Sequence, residues 1–133
     1  MNFIVNFLVM MQFNEEECFW IANELFEEVV PKNYYTNMLG VAIDIKLVEV
    51  FLQQKRPELY KKIKELNISI SIFALEWFVC LCTTILPYNI LVLVWDLLFC
   101  EGSIVLLKTT IVLIDEMAEM LFRCGDLSTL LDI

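Results

Sequence analysis

The chain has 133 residues, of which 59% are hydrophobic, and its formal net charge is −9. This length suits one domain or part of one, and the surplus of carboxylates repels phosphate backbones, which excludes nucleic acid as an expected partner. The sequence contains no histidine, which excludes serine–histidine and cysteine–histidine nucleophiles and every histidine metal site.

The first segment of the chain is predominantly apolar. Phe3–Met11 carries no charge, so regular structure there is stable only if it is buried, and we predict a helix. No positive charge precedes this segment and no small-residue cleavage site follows Phe13, so it is not expected to be a signal peptide.

A second helix is predicted to begin after Asn14. Asn14 followed three residues later by Glu17 is the pattern of a capping box, in which each side chain accepts a hydrogen bond from the other residue's backbone N–H. Apolar residues then recur at three- and four-residue steps until Pro31 ends the pattern. This periodicity predicts an amphipathic helix with Phe19 and Leu25 in the core.

Loops and helices alternate in the middle of the chain. Composition predicts a loop over Asn33–Gly40, and a periodic stretch that opens at Asp44 has to stop before Pro57. Pro57 suits the first turn of the next helix, whose lysines we interpret as a solvated face. Residues 68–72 alternate isoleucine and serine like a strand, but a lone strand has no partner, so we interpret them as a loop.

Three further helices are predicted towards the end of the chain, over Phe73–Thr84, Asn89–Phe99 and Ser103–Cys124. Gly102 and Gly125 stand where helices are expected to stop. The whole pattern predicts an all-α, multi-helix array of about six helices. We expect three large aromatic residues from these helices in its core: Trp77, Trp95 and Phe99.

A small multi-span membrane protein is an alternative, because the mean hydropathy is +0.70. The span from Trp77 to Trp95 carries no charge and has about the length of a membrane helix. Pro87 interrupts this span and Asp96 follows it directly. Two shorter buried helices therefore explain the span better.

The residues that often carry chemistry are interpreted here as packing residues. Cys80 and Cys82 lie about 200° apart around a predicted helix, so they do not converge on one metal ion. All five cysteines are interpreted as reduced thiols typical of the cytosol. The glycines are not spaced as a nucleotide-binding loop. Asp96 lies in an apolar run and is interpreted as a structural hydrogen-bond acceptor, with a binding-site residue as the alternative.

Several short blocks of residues follow one another in a defined order along the chain. The first blocks are Met1-Asn2-Phe3, the run from Asn14 to Trp20, and Pro31 with Tyr34-Tyr35 and Met38-Leu39-Gly40. The later blocks are Trp77-Phe78, Leu86-Pro87, Val94-Trp95-Asp96 and Cys100-Glu101-Gly102-Ser103. In their order these blocks resemble those of the TBC domain of Rab GTPase-activating proteins, with most likeness to the growth-hormone-regulated TBC protein group. The structural signature of this resemblance is Asn2, Trp20, Trp77, Pro87, Trp95, Asp96 and Gly102.

The resemblance implies an all-α fold and an activator that inserts an arginine and a glutamine into the active site of a GTP-bound Rab. The family's arginine and tyrosine-x-glutamine motifs lie before the Met-Asn block, so neither residue has a counterpart in residues 1–133. Arg56 and Arg123 do not match the arginine motif. Leu93 stands where relatives often carry an arginine able to pair with Asp96. We therefore expect residues 1–133 to be the C-terminal portion of a TBC domain, without its N-terminal catalytic segment.

Two functions follow from the resemblance. The first is a Rab-GAP family protein of vesicle trafficking, to which this chain contributes scaffold and part of the Rab-facing surface. The second is a catalytically inactive module that binds a small GTPase or a helical partner. The expected partner is a GTP-bound Rab-type GTPase, with no cofactor or metal. We expect a cytoplasmic protein, at most peripheral on endomembranes, that self-associates through uncovered apolar surface.

Overall fold

In the computed structural model, which describes residues 2–123, the chain folds into helices joined by short turns. The elements in chain order are α1 (Asn2–Met10), α2 (Glu15–Glu24), a π-helical segment (Leu25–Val29), α3 (Asn33–Thr36), α4 (Leu39–Lys55), α5 (Pro57–Glu65), α6 (Ser71–Val79), α7 (Tyr88–Glu101), α8 (Ile104–Glu116) and α9 (Ala118–Arg123). No strand occurs within the described residues, and the all-α prediction is confirmed.

Local sequence signals place several helix ends correctly. The Asn14 side chain accepts a hydrogen bond from the Glu17 N–H at 2.9 Å, and the Glu17 carboxylate accepts one from the Asn14 N–H at 2.9 Å, so the predicted capping box forms. Pro57 is the first residue of α5. Gly102 ends α7 with a φ of 79° and a ψ of −168°, a conformation that only glycine adopts readily.

The predicted loop over Asn33–Gly40 is wrong in part. It contains the short helix α3, and α4 begins at Leu39, well before Asp44. Gly40 is buried inside α4 because the ring of Tyr34 packs directly against it, and a Cβ at position 40 would lie 2.7 Å from Tyr34 Cδ2. The Tyr34 hydroxyl also donates a hydrogen bond to the Asp44 carboxylate, which joins α3 to α4. A tertiary contact therefore requires the glycine that composition assigned to a loop.

The helix α6 ends earlier than the predicted boundary at Thr84. After Val79 the chain turns through Leu81 and Cys82, whose φ angles are 51° and 62°. Both side chains are buried, and this burial raises the pKa of Cys82 to about 12. Cys82 therefore stays a thiol and packs as a small apolar residue, as predicted, while Cys80 is half-buried.

The helix predicted over Ser103–Cys124 is divided in two. The first part, α8, ends at Glu116, and α9 begins at Ala118. No proline or glycine marks this division, so local sequence signals do not predict it. Cys124 and the predicted stop at Gly125 lie outside the described residues.

The uncharged span between residues 77 and 95 is divided as predicted. It contains the end of α6 and the start of α7, with Pro87 in extended conformation as the residue before α7. Among the described residues, no helix has both the length and the apolar character needed to cross a bilayer.

The core is built around α4, which contacts α3, α5, α6 and α8, while α1 packs on α2 and α7 packs on α8. Leu25, Trp77 and Trp95 are buried in it, as predicted. The predictions for Phe19 and Phe99 are wrong, because these side chains are 61% and 41% exposed. Each follows a buried residue of its helix by one position, which places it about 100° away from the buried face.

Candidate protein-docking groove

The signature residues divide into a scaffold set and an exposed set. In the scaffold set, Trp77 and Trp95 are buried in the core. Its other two members, Pro87 and Gly102, lie at the two ends of α7. The exposed set is Asn2, Trp20 and Asp96. Trp20 and Asp96 line one groove, whereas Asn2 lies at the start of α1 and is not part of its lining.

This groove, called here the aromatic groove, lies between α1, α2 and α7. Its volume is about 450 Å³, within the range of roughly 300 to 1,000 Å³ that accommodates specific ligands. Its lining combines apolar and aromatic side chains with two carboxylates: Leu8, Met11, Phe13, Trp20, Ile21, Glu24, Trp95, Asp96 and Phe99. Such a surface suits apolar side chains from a partner rather than a polar small molecule.

Trp95 forms the buried floor of the aromatic groove. Its Nε1–H donates a hydrogen bond to the carbonyl of Leu81 at 3.1 Å, so the indole is fixed against the turn that follows α6. The ring of Phe7 from α1 meets it edge to face, with 4.7 Å between centroids, and Phe99 lies 6.3 Å away. Packing from two sides and one hydrogen bond therefore hold the floor in one arrangement before any partner binds.

The walls of the groove are exposed aromatic residues. Trp20 on α2 is 60% exposed, and its ring stacks edge to face on Phe19 with 5.2 Å between centroids. Phe99 on α7 also lines the groove and is exposed. Tryptophan and phenylalanine beside a concave apolar surface are typical of protein-binding sites.

Two carboxylates lie at the edge of the groove. Glu24 on α2 and Asp96 on α7 are both exposed, and neither forms a hydrogen bond or ion pair with a residue that the structure describes. The prediction that Asp96 is a structural acceptor is therefore wrong, because its position directly after Trp95 turns it away from the buried face of α7. Leu93 stands where relatives often carry an arginine, so Asp96 has no cationic neighbour on α7.

The described residues contain no group of three or more cysteine, aspartate or glutamate side chains that could hold a metal ion. What the aromatic groove offers chemically is apolar contact area with negative charge at its edge.

Comparison with known proteins agrees with the sequence blocks. The Rab-GTPase-TBC domain model matches residues 1–122. The chain is 30% identical over 132 residues to growth hormone-regulated TBC protein 1 of Homo sapiens and 31% identical over 123 residues to growth hormone-regulated TBC protein 1-A of Danio rerio. It is also 35% identical over 98 residues to small G protein signaling modulator 3 of Rattus norvegicus. No solved structure matches the chain.

These matches cover most of this chain but a minor part of each relative. They include 99%, 90% and 73% of the chain, and 39%, 35% and 13% of the three relatives. The chain thus spans about two fifths or less of the length of these three relatives. Because the family model covers nearly the whole chain and the described residues are all-α, the chain belongs to the Rab-GTPase-TBC domain family.

Proposed function

We propose that residues 1–133 form part of a TBC domain that binds a GTP-loaded Rab-type small GTPase without accelerating GTP hydrolysis. TBC domains belong to GTPase activators, which makes a small GTPase the first partner to consider. The observation that carries the proposal is the aromatic groove, a fixed apolar floor between exposed aromatic walls on a member of this family. The groove supplies part of the surface on which the GTPase docks.

The absence of stimulation follows from the chemistry of GTP hydrolysis. Activation requires a cation that neutralises charge on the transferring phosphoryl group and a residue that orients the attacking water. Residues 1–133 contain no match to the family's arginine or tyrosine-x-glutamine motif. Arg56 pairs with Asp115 of α8, at 2.8 Å between Nη1 and the carboxylate, so its guanidinium is held within the chain. The side chain of Arg123 lies outside the described part of the chain.

Binding and hydrolysis are tested on the same panel of Rab-type GTPases. We expect at least one member to bind more tightly when loaded with GTP than with GDP. Its single-turnover hydrolysis should stay within about twofold of the intrinsic rate, against roughly 10³-fold or more for a complete activator. Stimulation of that size by this chain would disprove the catalytic part of the proposal, and failure of every member to bind would disprove the binding part.

A pair of variants tests whether the GTPase docks at the aromatic groove. Trp20→Ala removes a wall of the groove and should weaken GTPase binding about tenfold or more, as expected for a tryptophan at an interface. Leu93→Ala removes an apolar side chain that is 63% exposed on α7 but does not line the groove, so it should leave binding unchanged. Equal effects of the two variants would place the GTPase elsewhere.

The second candidate function is an inactive module that binds a helical partner, and the apolar lining of the groove favours it as well. For either function we propose a cytoplasmic protein that is at most peripheral on endomembranes, where a bound Rab-type GTPase would hold it.

A further inference from the structure

The charges at the edge of the aromatic groove are all of one sign. Glu24 and Asp96 come from α2 and α7, the helices on two sides of the groove, and no lysine or arginine is among the lining residues. Both carboxylates are exposed, and neither is paired with a described residue. A partner that covers the groove therefore binds most favourably if it carries positive charge on both sides of an apolar surface.

A second copy of this chain does not meet that requirement. Its lysine-rich helix is α5, but the apolar residues of that helix, Leu59 and Ile63, are buried in the chain's own core. The helix therefore has no apolar stripe to place in another copy's groove. Two copies meeting groove to groove would bring Glu24 and Asp96 of one copy against the same carboxylates of the other, which like-charge repulsion opposes.

We propose that the aromatic groove accepts an amphipathic helix of the partner protein, whose apolar stripe lies on Trp20, Trp95 and Phe99 and whose flanking lysines or arginines pair with Glu24 and Asp96. The inference rests on the proposed function for the docking place and adds the chemistry of what docks. An apolar stripe in a groove supplies contact area, and the charges on its flanks select the partner and its orientation.

The probe is a synthetic helical peptide of about 16 residues, with leucines at three- and four-residue spacing and lysines beside them. A second peptide carries glutamates in place of the lysines. Because Trp20 is exposed whereas Trp77 and Trp95 are buried, docking should shift the emission of Trp20 to shorter wavelength. We expect the lysine peptide to bind about tenfold or more tightly than the glutamate peptide, measured by peptide anisotropy at low protein concentration.

Charge reversal at the groove separates specific pairing from general attraction to an acidic chain. Glu24→Lys with Asp96→Lys should reverse the preference and favour the glutamate peptide. Glu58→Lys with Glu116→Lys changes the net charge equally at exposed sites outside the groove lining, and should keep the lysine preference. Equal binding of both peptides, or equal effects of the two double variants, would overturn the inference.

The two proposals fail in different ways. Binding of a GTPase with no peptide binding would overturn the helix inference and leave the proposed function standing. Peptide binding with the expected charge preference, but no GTPase binding, would support the inference and overturn the proposed partner.

Discussion

Trp95 and Trp20 lie on the same groove but contribute differently to stability. Trp95 is 3% exposed, and its replacement by alanine leaves a cavity and an unpaired Leu81 carbonyl. We expect Trp95→Ala to lower the free energy of unfolding by about 3–5 kcal/mol, measured by urea denaturation. Trp20→Ala is the matched control, and because Trp20 is 60% exposed it should change stability by no more than about 0.5 kcal/mol. Equal losses of stability in the two variants would show that Trp20 also stabilises the fold.

The structure around a single residue is predictable from sequence where the interaction that determines it is local. The capping box of Asn14 and Glu17 was predictable because both partners lie within one helical turn. The burial of Phe19 and Phe99 was predicted wrongly because α2 and α7 carry apolar residues on more than one face. Periodicity then does not say which face meets the core.

At the scale of helices, the contact between α3 and α4 depends on Gly40, which has no side chain. A Cβ at position 40 would lie 2.5 Å from Asn33 Oδ1 and 2.7 Å from Tyr34 Cδ2. Although alanine normally stabilises a helix relative to glycine, we expect Gly40→Ala to destabilise the protein by about 1–3 kcal/mol, because the two helices must separate. Thermal or urea unfolding measures the sign of the effect.

Another position of α4 provides the control for Gly40. Ala42 is exposed in the same helix, so Ala42→Gly should cost only the ordinary loss of helix propensity, about 1 kcal/mol. A stabilised Gly40→Ala protein would contradict the close packing of Tyr34 on α4.

Helix ends were predictable where a particular residue marks them, as Pro57 does for α5 and Gly102 does for α7. They were not predictable where packing decides. The left-handed turn at Leu81 and Cys82 ends α6 without a glycine, and both side chains are buried there. Burial in the core therefore compensates for a backbone conformation that these residues rarely adopt.

For the whole molecule, the aromatic groove could be predicted only in part. The resemblance named Trp20 and Asp96, but nothing in the sequence joins them to Glu24 or Met11 in one surface. These residues meet because α1, α2 and α7 pack together, although α7 is distant from the other two in the chain. Sequence patterns do not predict such a surface, because it depends on tertiary packing between distant segments.

The whole molecule also exposes apolar surface away from the groove. Phe3, Val5, Val9 and Met10 on α1 are all exposed, while the net charge of −9 opposes contact between copies. We expect self-association that rises with protein concentration and with salt, because salt screens the repulsion and leaves the apolar attraction. Sedimentation velocity at low and high sodium chloride measures it.

Two substitutions separate apolar attraction from charge in this association. Met10→Glu should reduce the association by placing a charge in the apolar patch on α1. Gln53→Glu adds the same charge at an exposed polar position of α4 and should reduce the association less. A monomer at every concentration and salt would contradict this expectation, as would association that weakens when salt is added.

The π-helical segment at Leu25–Val29, which directly follows α2, affects how this part of the chain tolerates the loss of a residue. Its wider turn is closed by the Val30 N–H, which donates to the Leu25 carbonyl at 2.9 Å, and it holds one residue more than an α-helical turn. A one-residue deletion there can be absorbed by closing an ordinary α-helical turn, while the Asn14 cap and Trp20 keep their places on α2. The same deletion within α4 would rotate half of the central helix out of the core, so the π-helical segment tolerates the loss of one residue where an α-helical core segment does not.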